Sequence, residues 1–191
     1  MRIVAGKFRG RPLATPGHDG PGHDGLRPTA DRVRESIFNI LAHGIKGFDM
    51  TGVRVIDLFA GTGALGLEAM SRGAAYCLFV EESAQARALI RQNVEAFGLT
   101  GQTRLFRRDA CDLGPAGNME PFGLAFLDPP YGKGLAEKAL VALAEGAWLS
   151  RRAVCVVEDR LDAPFNRPIG YLDLDQRSWG DTCVRFLQLA D

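Results

Sequence analysis

The stretch Val53-Arg-Val-Ile-Asp57-Leu-Phe-Ala-Gly61-Thr-Gly63-Ala-Leu-Gly66 decides the fold that the sequence predicts. Residues 53–58 form a short apolar run that ends in glycines, which is typical of a buried strand in a parallel sheet. The glycines have the spacing G-x-G-x-x-G and precede a predicted helix over 64–72. Glu81 ends the next apolar run, 20 residues after Gly61. Together these features indicate a βαβ unit that binds a nucleotide or a nucleoside.

Strands and helices alternate along the rest of the chain. Helices are predicted from Ser83 to Gly98 and over 134–147, and the predicted strands cover 53–58, 76–81, 103–108, 122–128, 153–158, 168–175 and 182–189. The link at Gly180-Asp181 is too short for a parallel crossover, so the last strand is antiparallel. The predicted fold is an α/β, Rossmann-like three-layer sandwich around a mostly parallel seven-stranded sheet.

Residues 1–50 are predicted to form a small N-terminal extension to a domain over 51–191. Residues 1–13 read as a short hairpin with Lys7, Arg9 and Arg11 on one face. A loop follows, in which Pro-Gly-His-Asp-Gly occurs at 16–20 and again at 21–25. Its two His-Asp pairs raise a metal site as one interpretation, but the density of proline and glycine favours a mobile loop, and we expect no metal. Thr29 is the predicted cap of the helix that ends the extension.

The formal net charge of the 191 residues is zero, from 23 basic and 23 acidic side chains. This balance excludes a uniformly basic nucleic-acid binder, but the charges are not evenly distributed. The segment 1–34 contains seven basic and three acidic residues, so its net charge is +4 and the net charge of the rest of the chain is −4. The four cysteines form no CxxC pair, and no apolar stretch approaches the roughly 18 residues of a membrane helix. We therefore expect a soluble, cytoplasmic protein.

The carboxyl group of Asp57 distinguishes between two kinds of cofactor for residues 59–66, here called the glycine turn. In a nicotinamide site the turn faces a pyrophosphate, which a carboxylate at the mouth of the turn would repel. S-adenosylmethionine carries an ammonium and a sulfonium and no phosphate, so the charge pattern favours the methyl donor. Glu81 is placed to accept hydrogen bonds from ribose hydroxyls, and Asp109 and the Ala110 amide are placed to contact adenine. The position of Asp109 is equally compatible with a structural role, as an acid in the turn that ends a strand.

The predicted fourth strand delivers Asp128-Pro129-Pro130-Tyr131 to the same edge of the sheet. Pro130 restricts Pro129 to extended conformations, which fixes the direction of the Pro129 carbonyl. The Asp128 carboxylate and that carbonyl are two acceptors for the two hydrogens of an amine on a conjugated ring. Tyr131 supplies an aromatic face on which such a ring can stack. The tetrapeptide therefore indicates methylation of an amino group on a base.

With these motifs the chain resembles the class I S-adenosylmethionine-dependent methyltransferases, and within them the bacterial RsmD family, which methylates N2 of a guanine in small-subunit ribosomal RNA. The matching segments are 2–11, 26–35, 57–69, 128–131 and 177–182. The resemblance implies that Arg27, Pro28 and Thr29 line the methionine side of the cofactor pocket, with Phe59, Gly61 and Gly63 among its other cofactor residues. It also implies that Asp128, Pro129, Pro130 and Tyr131 form the catalytic group.

The basic residues of the extension are the candidates for RNA contact. Lys7, Arg9 and Arg11 are placed to hold phosphates. Arg32 and Arg34 lie off the apolar face of their predicted helix and are placed to contact RNA or cofactor, or merely to solvate the helix. The expected partner is ribosomal RNA or a small-subunit assembly particle, and we expect a monomer.

Three alternatives stay open at the level of sequence. The first is a methyltransferase with another amino substrate, either DNA adenine or a protein amide. The second is a nicotinamide oxidoreductase, against which Asp57 and the Asp-Pro-Pro-Tyr tetrapeptide both count. The third is a non-catalytic RNA-binding module on a relic of the fold, which the intact set of motifs disfavours.

Overall fold

The computed structural model describes residues 1–16, 31–131 and 133–190. The helices within these ranges are α1 (Asp31–His43), α2 (Ala64–Ser71), α3 (Ala84–Ala96) and α4 (Leu135–Glu145). The strands are β1 (Arg54–Leu58), β2 (Tyr76–Val80), β3 (Thr103–Phe106), β4 (Phe122–Leu127), β5 (Leu149–Arg160), β6 (Tyr171–Trp179) and β7 (Thr182–Leu189). Each strand overlaps a predicted one, and the largest differences are the longer β5 and the shift of β6 toward the C-terminus. None of these helices is long and apolar enough to cross a membrane.

All seven strands form one sheet in the order β3-β2-β1-β4-β5-β7-β6. Strands β1 to β5 are mutually parallel, whereas β7 is antiparallel to both β5 and β6. Gly180 turns the chain between β6 and β7 with φ 59°, a left-handed conformation that glycine adopts without strain. The predicted mostly parallel sheet with an antiparallel C-terminal strand is confirmed.

The sheet is covered on both faces, as the prediction of three layers requires. Helices α1, α2 and α3 pack on one face, where Phe38 of α1 lies against Phe126 of β4 with ring centroids 5.6 Å apart. Helix α4 packs on the other face, where Leu140 and Leu143 join the side chains of Ile56 and Leu58. Successive residues of a strand point to opposite faces, so each inner strand contributes to both cores.

The first 13 residues are part of the core rather than a loose arm. Ile3, Phe8 and Leu13 are buried in the same hydrophobic cluster as α1 to α3. The predicted hairpin is reduced to one antiparallel bridge, between Arg2 and Pro12, with tight turns between them. The predicted boundary at residue 50 stays a prediction, and the duplicated Pro-Gly-His-Asp-Gly loop and the Thr29 cap lie outside the described residues.

A fully buried carboxylate, Glu68 of α2, holds the N-terminal segment in place. Its two oxygens accept the Val4 amide at 2.8 Å and the Ala5 amide at 3.0 Å. The same carboxylate lies 2.7 Å from Nε of Arg72 and 3.6 Å from Nε of Arg34. Buried charges are tolerated where they are paired and hydrogen-bonded, and Glu68 meets both conditions.

Arg34 lies on the buried face of α1, so the prediction that it points away from that face is wrong. Its exposed fraction is 0%, and besides Glu68 it contacts the Asp31 carboxylate and the Arg2 carbonyl oxygen. The periodicity of apolar residues could not show that Arg34 is buried, because a paired arginine can occupy a core-facing position of a helix although its side chain is not apolar. In this position Arg34 is not accessible to an RNA phosphate.

We expect Glu68→Gln to destabilise the fold strongly. The amide would place an N–H group against backbone N–H donors and would leave two arginines without their shared counter-charge. Loss of one partner from a buried ion pair typically costs about 3–5 kcal/mol. Urea unfolding measures this loss, and Glu95→Gln on the exposed side of α3 is the matched control. Equal stability of the two variants would show that the buried network contributes little.

Candidate active site

The carboxyl ends of β1 to β4 form one edge of the sheet, here called the carboxyl edge, and the predicted site residues lie along it. Leu58 is in register with Val80 of β2 and with Leu127 of β4, and Val80 is in register with Phe106 of β3. The segments that follow these four positions therefore emerge side by side. They carry Phe59, Gly61, Glu81, Asp109 and Asp128.

A hydrogen bond to Asp57 stabilises the glycine turn. Its carboxylate accepts the backbone N–H of Gly66 at 2.9 Å, inside the first turns of α2. A Cβ atom at Gly66 would lie 2.5 Å from the Phe79 ring and 2.6 Å from Sγ of Cys77, so only glycine fits. Gly61 and Gly63 have φ values of 55° and 78°, and Phe59 has φ 57°, which is uncommon for a residue with a side chain.

Burial raises the pKa of the Asp57 carboxyl from its ordinary value to about 8. The hydrogen bond from Gly66 lowers this pKa, and the nearby charge of Glu81 raises it. The carboxyl therefore holds a proton over much of the neutral range. A positive charge placed beside it would favour the ionised form, whereas a phosphate would oppose ionisation.

Glu81 connects the glycine turn to the start of α3. One carboxylate oxygen accepts the Gly61 amide at 2.8 Å, and the other accepts the Ser83 amide at 2.7 Å. A carboxylate has about four lone-pair sites, so it can accept further hydrogen bonds while it keeps these two. Glu81 is half-buried at the carboxyl edge, which is compatible with its predicted contact to ribose hydroxyls.

Asp109 has the conformation of an acid in a turn, because its carboxylate accepts the Cys111 amide two residues on at 2.8 Å. Asp109 is exposed and Ala110 is buried. The predicted adenine contact of these two residues stays a prediction. The predicted cofactor residues Arg27, Pro28 and Thr29 lie outside the described residues.

The Asp128-Pro129-Pro130-Tyr131 tetrapeptide leaves the end of β4 as predicted. Pro129 is buried, whereas Asp128 and Tyr131 are half-buried. The Tyr131 hydroxyl donates to Glu158 at 3.2 Å. Burial raises the pKa of the Tyr131 phenol above its ordinary value, and the charges of Glu158 and Asp128 raise it further. The ring therefore stays neutral at physiological pH.

Glu158 is a site residue that sequence reasoning missed. It lies one position after Val157, which is in register with Leu127, so it is the β5 neighbour of Asp128. Its exposed fraction is only 4%. An acid at the end of the apolar run 153–157 was the available indication, and the contact with Tyr131 is visible only in the structure.

Asn93 of α3 is a second residue that the sequence did not reveal. Its side-chain amide donates to the carbonyl oxygen of Thr62 at 3.1 Å and to that of Ala14 at 3.3 Å. Its oxygen accepts the Ala14 amide at 2.7 Å. This contact set, here called the Asn93 bridge, joins the glycine turn to the end of the N-terminal segment.

The structure separates Lys7, one of the predicted RNA contacts, from the carboxyl edge. The Lys7 amide donates to the carbonyl oxygen of Ser71, the last residue of α2, which begins at the glycine turn. Eight residues of helix span about 12 Å, so Lys7 lies toward the opposite, amino edge of the sheet. Lys7, Arg9, Arg11 and Arg32 are exposed. The Arg11 guanidinium donates to the Ala96 carbonyl and stacks 4.6 Å from the Phe97 ring centroid.

The family model described as "Conserved hypothetical protein 95" matches residues 1–188. A relative from Haemophilus influenzae named "Ribosomal RNA small subunit methyltransferase D" is 34% identical over 98% of this chain and 93% of its own. The chain belongs to the RsmD family. A relative of the same name from Escherichia coli is 37% identical over 85% of this chain and 76% of its own.

Solved structures agree with this RsmD-family fold. A structure from Escherichia coli matches with a TM-score of 0.81 and 31% identity, over 100% of this chain and 98% of that one. An RNA methyltransferase from Salinibacter ruber, solved with S-adenosyl-L-homocysteine, matches with a TM-score of 0.64 over 86% of this chain and 95% of that one. At 14% identity the second likeness concerns the fold alone.

We expect Asn93→Asp to loosen the glycine turn of this RsmD-family chain. The variant keeps an acceptor for the Ala14 amide, loses both donated hydrogen bonds and places a carboxylate against two carbonyl oxygens. Hydrogen exchange at the amides of residues 61–63 and at Ala14 should become at least tenfold faster. Gln92→Glu makes the same chemical change at the exposed neighbouring position. The Asn93 bridge has no such role if both variants exchange alike.

Proposed function

We propose that this RsmD-family chain transfers a methyl group from S-adenosylmethionine to the exocyclic N2 amine of a guanine in small-subunit ribosomal RNA. The observation that carries the proposal is the position of Asp128-Pro129-Pro130-Tyr131, at the end of β4 next to the glycine turn after β1. The relatives named ribosomal RNA small subunit methyltransferase D support the RNA substrate.

The residues of the glycine turn fit S-adenosylmethionine in their chemistry. The stretch 57–66 contains no basic residue and one acid, Asp57, and Glu81 contacts it at the Gly61 amide. This set favours the ammonium and the neutral ribose of the methyl donor and disfavours a pyrophosphate. We assign the cofactor to Asp57, Phe59, Gly61 and Gly63, to Glu81 for the ribose and to Asp109 with Ala110 for adenine. Arg27, Pro28 and Thr29 complete the proposed set.

Binding of S-adenosylmethionine should release a proton from Asp57 at pH 7. The carboxyl, with a pKa of about 8, is mainly protonated there, and a neighbouring cation favours its ionised form. This contribution to affinity should therefore rise with pH and level off above about pH 8. Calorimetry in two buffers with different heats of ionisation counts the released protons.

The control for this measurement is Asp57→Asn, which keeps an acceptor for the Gly66 amide but cannot titrate. It should bind the cofactor more weakly and release close to no protons. Equal proton release by the variant and the wild type would contradict the assignment of Asp57.

The tetrapeptide explains how a poorly nucleophilic amine can react. The Asp128 carboxylate and the Pro129 carbonyl accept the two N–H groups of the amine, which concentrates electron density on the nitrogen. Tyr131 stacks on the base, and Pro130 fixes the direction of the Pro129 carbonyl. Bound S-adenosylmethionine supplies an electrophilic methyl group on positively charged sulfur. Asp128 takes up the proton that the amine loses or passes it to water.

Asp128→Ala should abolish methyl transfer while cofactor binding persists. Loss of one preorganised group that stabilises a transition state typically lowers kcat about 100- to 1,000-fold. Transfer of labelled methyl to small-subunit RNA measures the rate, and calorimetry measures cofactor affinity. Asp173→Ala on the exposed face of β6 is the control. Methylation at the wild-type rate by Asp128→Ala would overturn the role of Asp128.

Lys7, Arg9, Arg11 and Arg32 are the proposed RNA contacts, and Arg34 is removed from this set because it is buried. Charge-neutralising substitutions suit this segment better than deletion, since residues 1–13 contribute to the core.

Free RNA and the assembled small-subunit particle are the two substrates to compare. The proposed state is a cytoplasmic monomer without a metal, and no group of three metal-ligating residues occurs in the described ranges.

A further inference from the structure

An open cleft of about 540 Å³ lies on the α4 face of the sheet, toward the amino edge. Strands β1, β2 and β3 supply one side of it, and the loop between β3 and β4 supplies another. Its lining includes three arginines, Arg54, Arg104 and Arg108, together with aromatic side chains. None of these residues belongs to the set assigned above to cofactor or catalysis.

The arginines of this cleft lie against aromatic rings. The Arg54 guanidinium carbon is 4.3 Å from the ring centroid of Tyr76 and 5.1 Å from that of Phe122. Arg104 and Arg108 approach the Phe106 ring at 4.7 Å and 5.3 Å. A guanidinium that stacks on a ring keeps its N–H edge available to acceptors in its own plane, such as phosphate oxygens.

The positive charge of the cleft is only partly compensated. Glu120 is the acidic residue among the lining residues, and it lies 3.4 Å from Arg54 with 79% of its side chain exposed. Within the described ranges the Arg104 guanidinium makes no hydrogen bond or ion pair, and Arg54 Nε is buried without a hydrogen-bond partner. Arg108 donates to the Leu113 carbonyl oxygen and forms no ion pair with a carboxylate in the part of the chain that the structure describes.

The arrangement along β3 connects this cleft to the candidate active site. Arg104 and Phe106 lie on the same face of β3, and Arg108, two residues after the strand ends, brings its guanidinium to the same Phe106 ring, so the three residues form one row. Arg108 directly precedes Asp109 at the carboxyl edge, whereas Arg104 lies near the start of β3. A strand bound along this row would run from the active site toward the cleft.

We propose that the cleft is a second RNA site, in which Arg54, Arg104 and Arg108 bind the phosphodiester backbone of an unpaired strand and the ring of Phe106 or Tyr76 stacks on a base. Such a combination of cations and aromatic faces is how proteins bind single strands without reading their sequence. The inference rests on the proposed function, because it assigns the cleft to RNA that flanks the target nucleotide.

Polyuridine RNA is the probe that tests the cleft separately from guanine methylation. Arg104→Ala should weaken polyuridine binding about five- to tenfold. It should also reduce the steepness of the plot of log K, the binding constant, against log salt concentration by about 0.7. Arg104→Lys keeps the charge and should retain the salt dependence while it loses affinity. Arg177→Ala, an exposed arginine on β6 at the other edge of the sheet, should leave both quantities unchanged.

The same variants distinguish failure of this inference from failure of the proposed function. In Arg104→Ala the KM for ribosomal RNA should rise, with kcat and cofactor affinity unchanged. If Arg104→Ala binds polyuridine with the affinity and the salt dependence of the wild type, the second site is overturned, even where ribosomal RNA is methylated normally. Uridine monophosphate that binds as tightly as the polymer would also overturn it, in favour of a mononucleotide site. Absence of RNA methylation by the wild-type protein would instead overturn the proposed function.

Discussion

The close approach of α2 to β1 and β2 at Gly66 is the contact on which the rest of the structure depends. With no Cβ at this position, the Asp57 carboxylate reaches the Gly66 amide at 2.9 Å, and the Phe79 ring packs over the helix. The contact fixes the glycine turn between strand and helix, and it fixes the direction in which α2 returns along the sheet. Any larger residue at position 66 would separate the helix from the sheet.

Helix α2 transmits this constraint to the N-terminal segment. Glu68 and Ser71 lie on the same helix, and their side chains accept the amides of Val4, Ala5 and Phe8. From there the chain reaches Ala14, which the Asn93 bridge connects back to Thr62 in the glycine turn. The N-terminal segment is thus bound near the end of α2, through Ser71, and near its start, through the Asn93 bridge. Order in the N-terminal segment and order in the glycine turn are therefore physically connected.

The zero net charge of the chain conceals a spatial division. Acids collect at the carboxyl edge, where Asp57, Glu81, Asp128 and Glu158 lie on neighbouring strands. The N-terminal segment and β3 carry exposed basic residues outside this group of acids, among them Lys7, Arg9, Arg11 and Arg104. The proposed site for a cationic cofactor and the proposed surfaces for a polyanion have opposite electrostatic requirements, which one neutral chain can meet with different groups of residues.

The sequence by itself determined the sheet, the glycine turn and the Asp-Pro-Pro-Tyr tetrapeptide, because strand periodicity, glycine spacing and proline are local properties of the chain. It did not determine the burial of Arg34, the contact of Glu158 with Tyr131, the Asn93 bridge or the arginine cleft. Each of these depends on polar side chains from segments far apart in sequence, and a polar residue gives the same local pattern whether it faces water or a partner. Only the tertiary structure decides which partner it meets, since burial of a charged or amide group is favourable only where the fold supplies its hydrogen bonds.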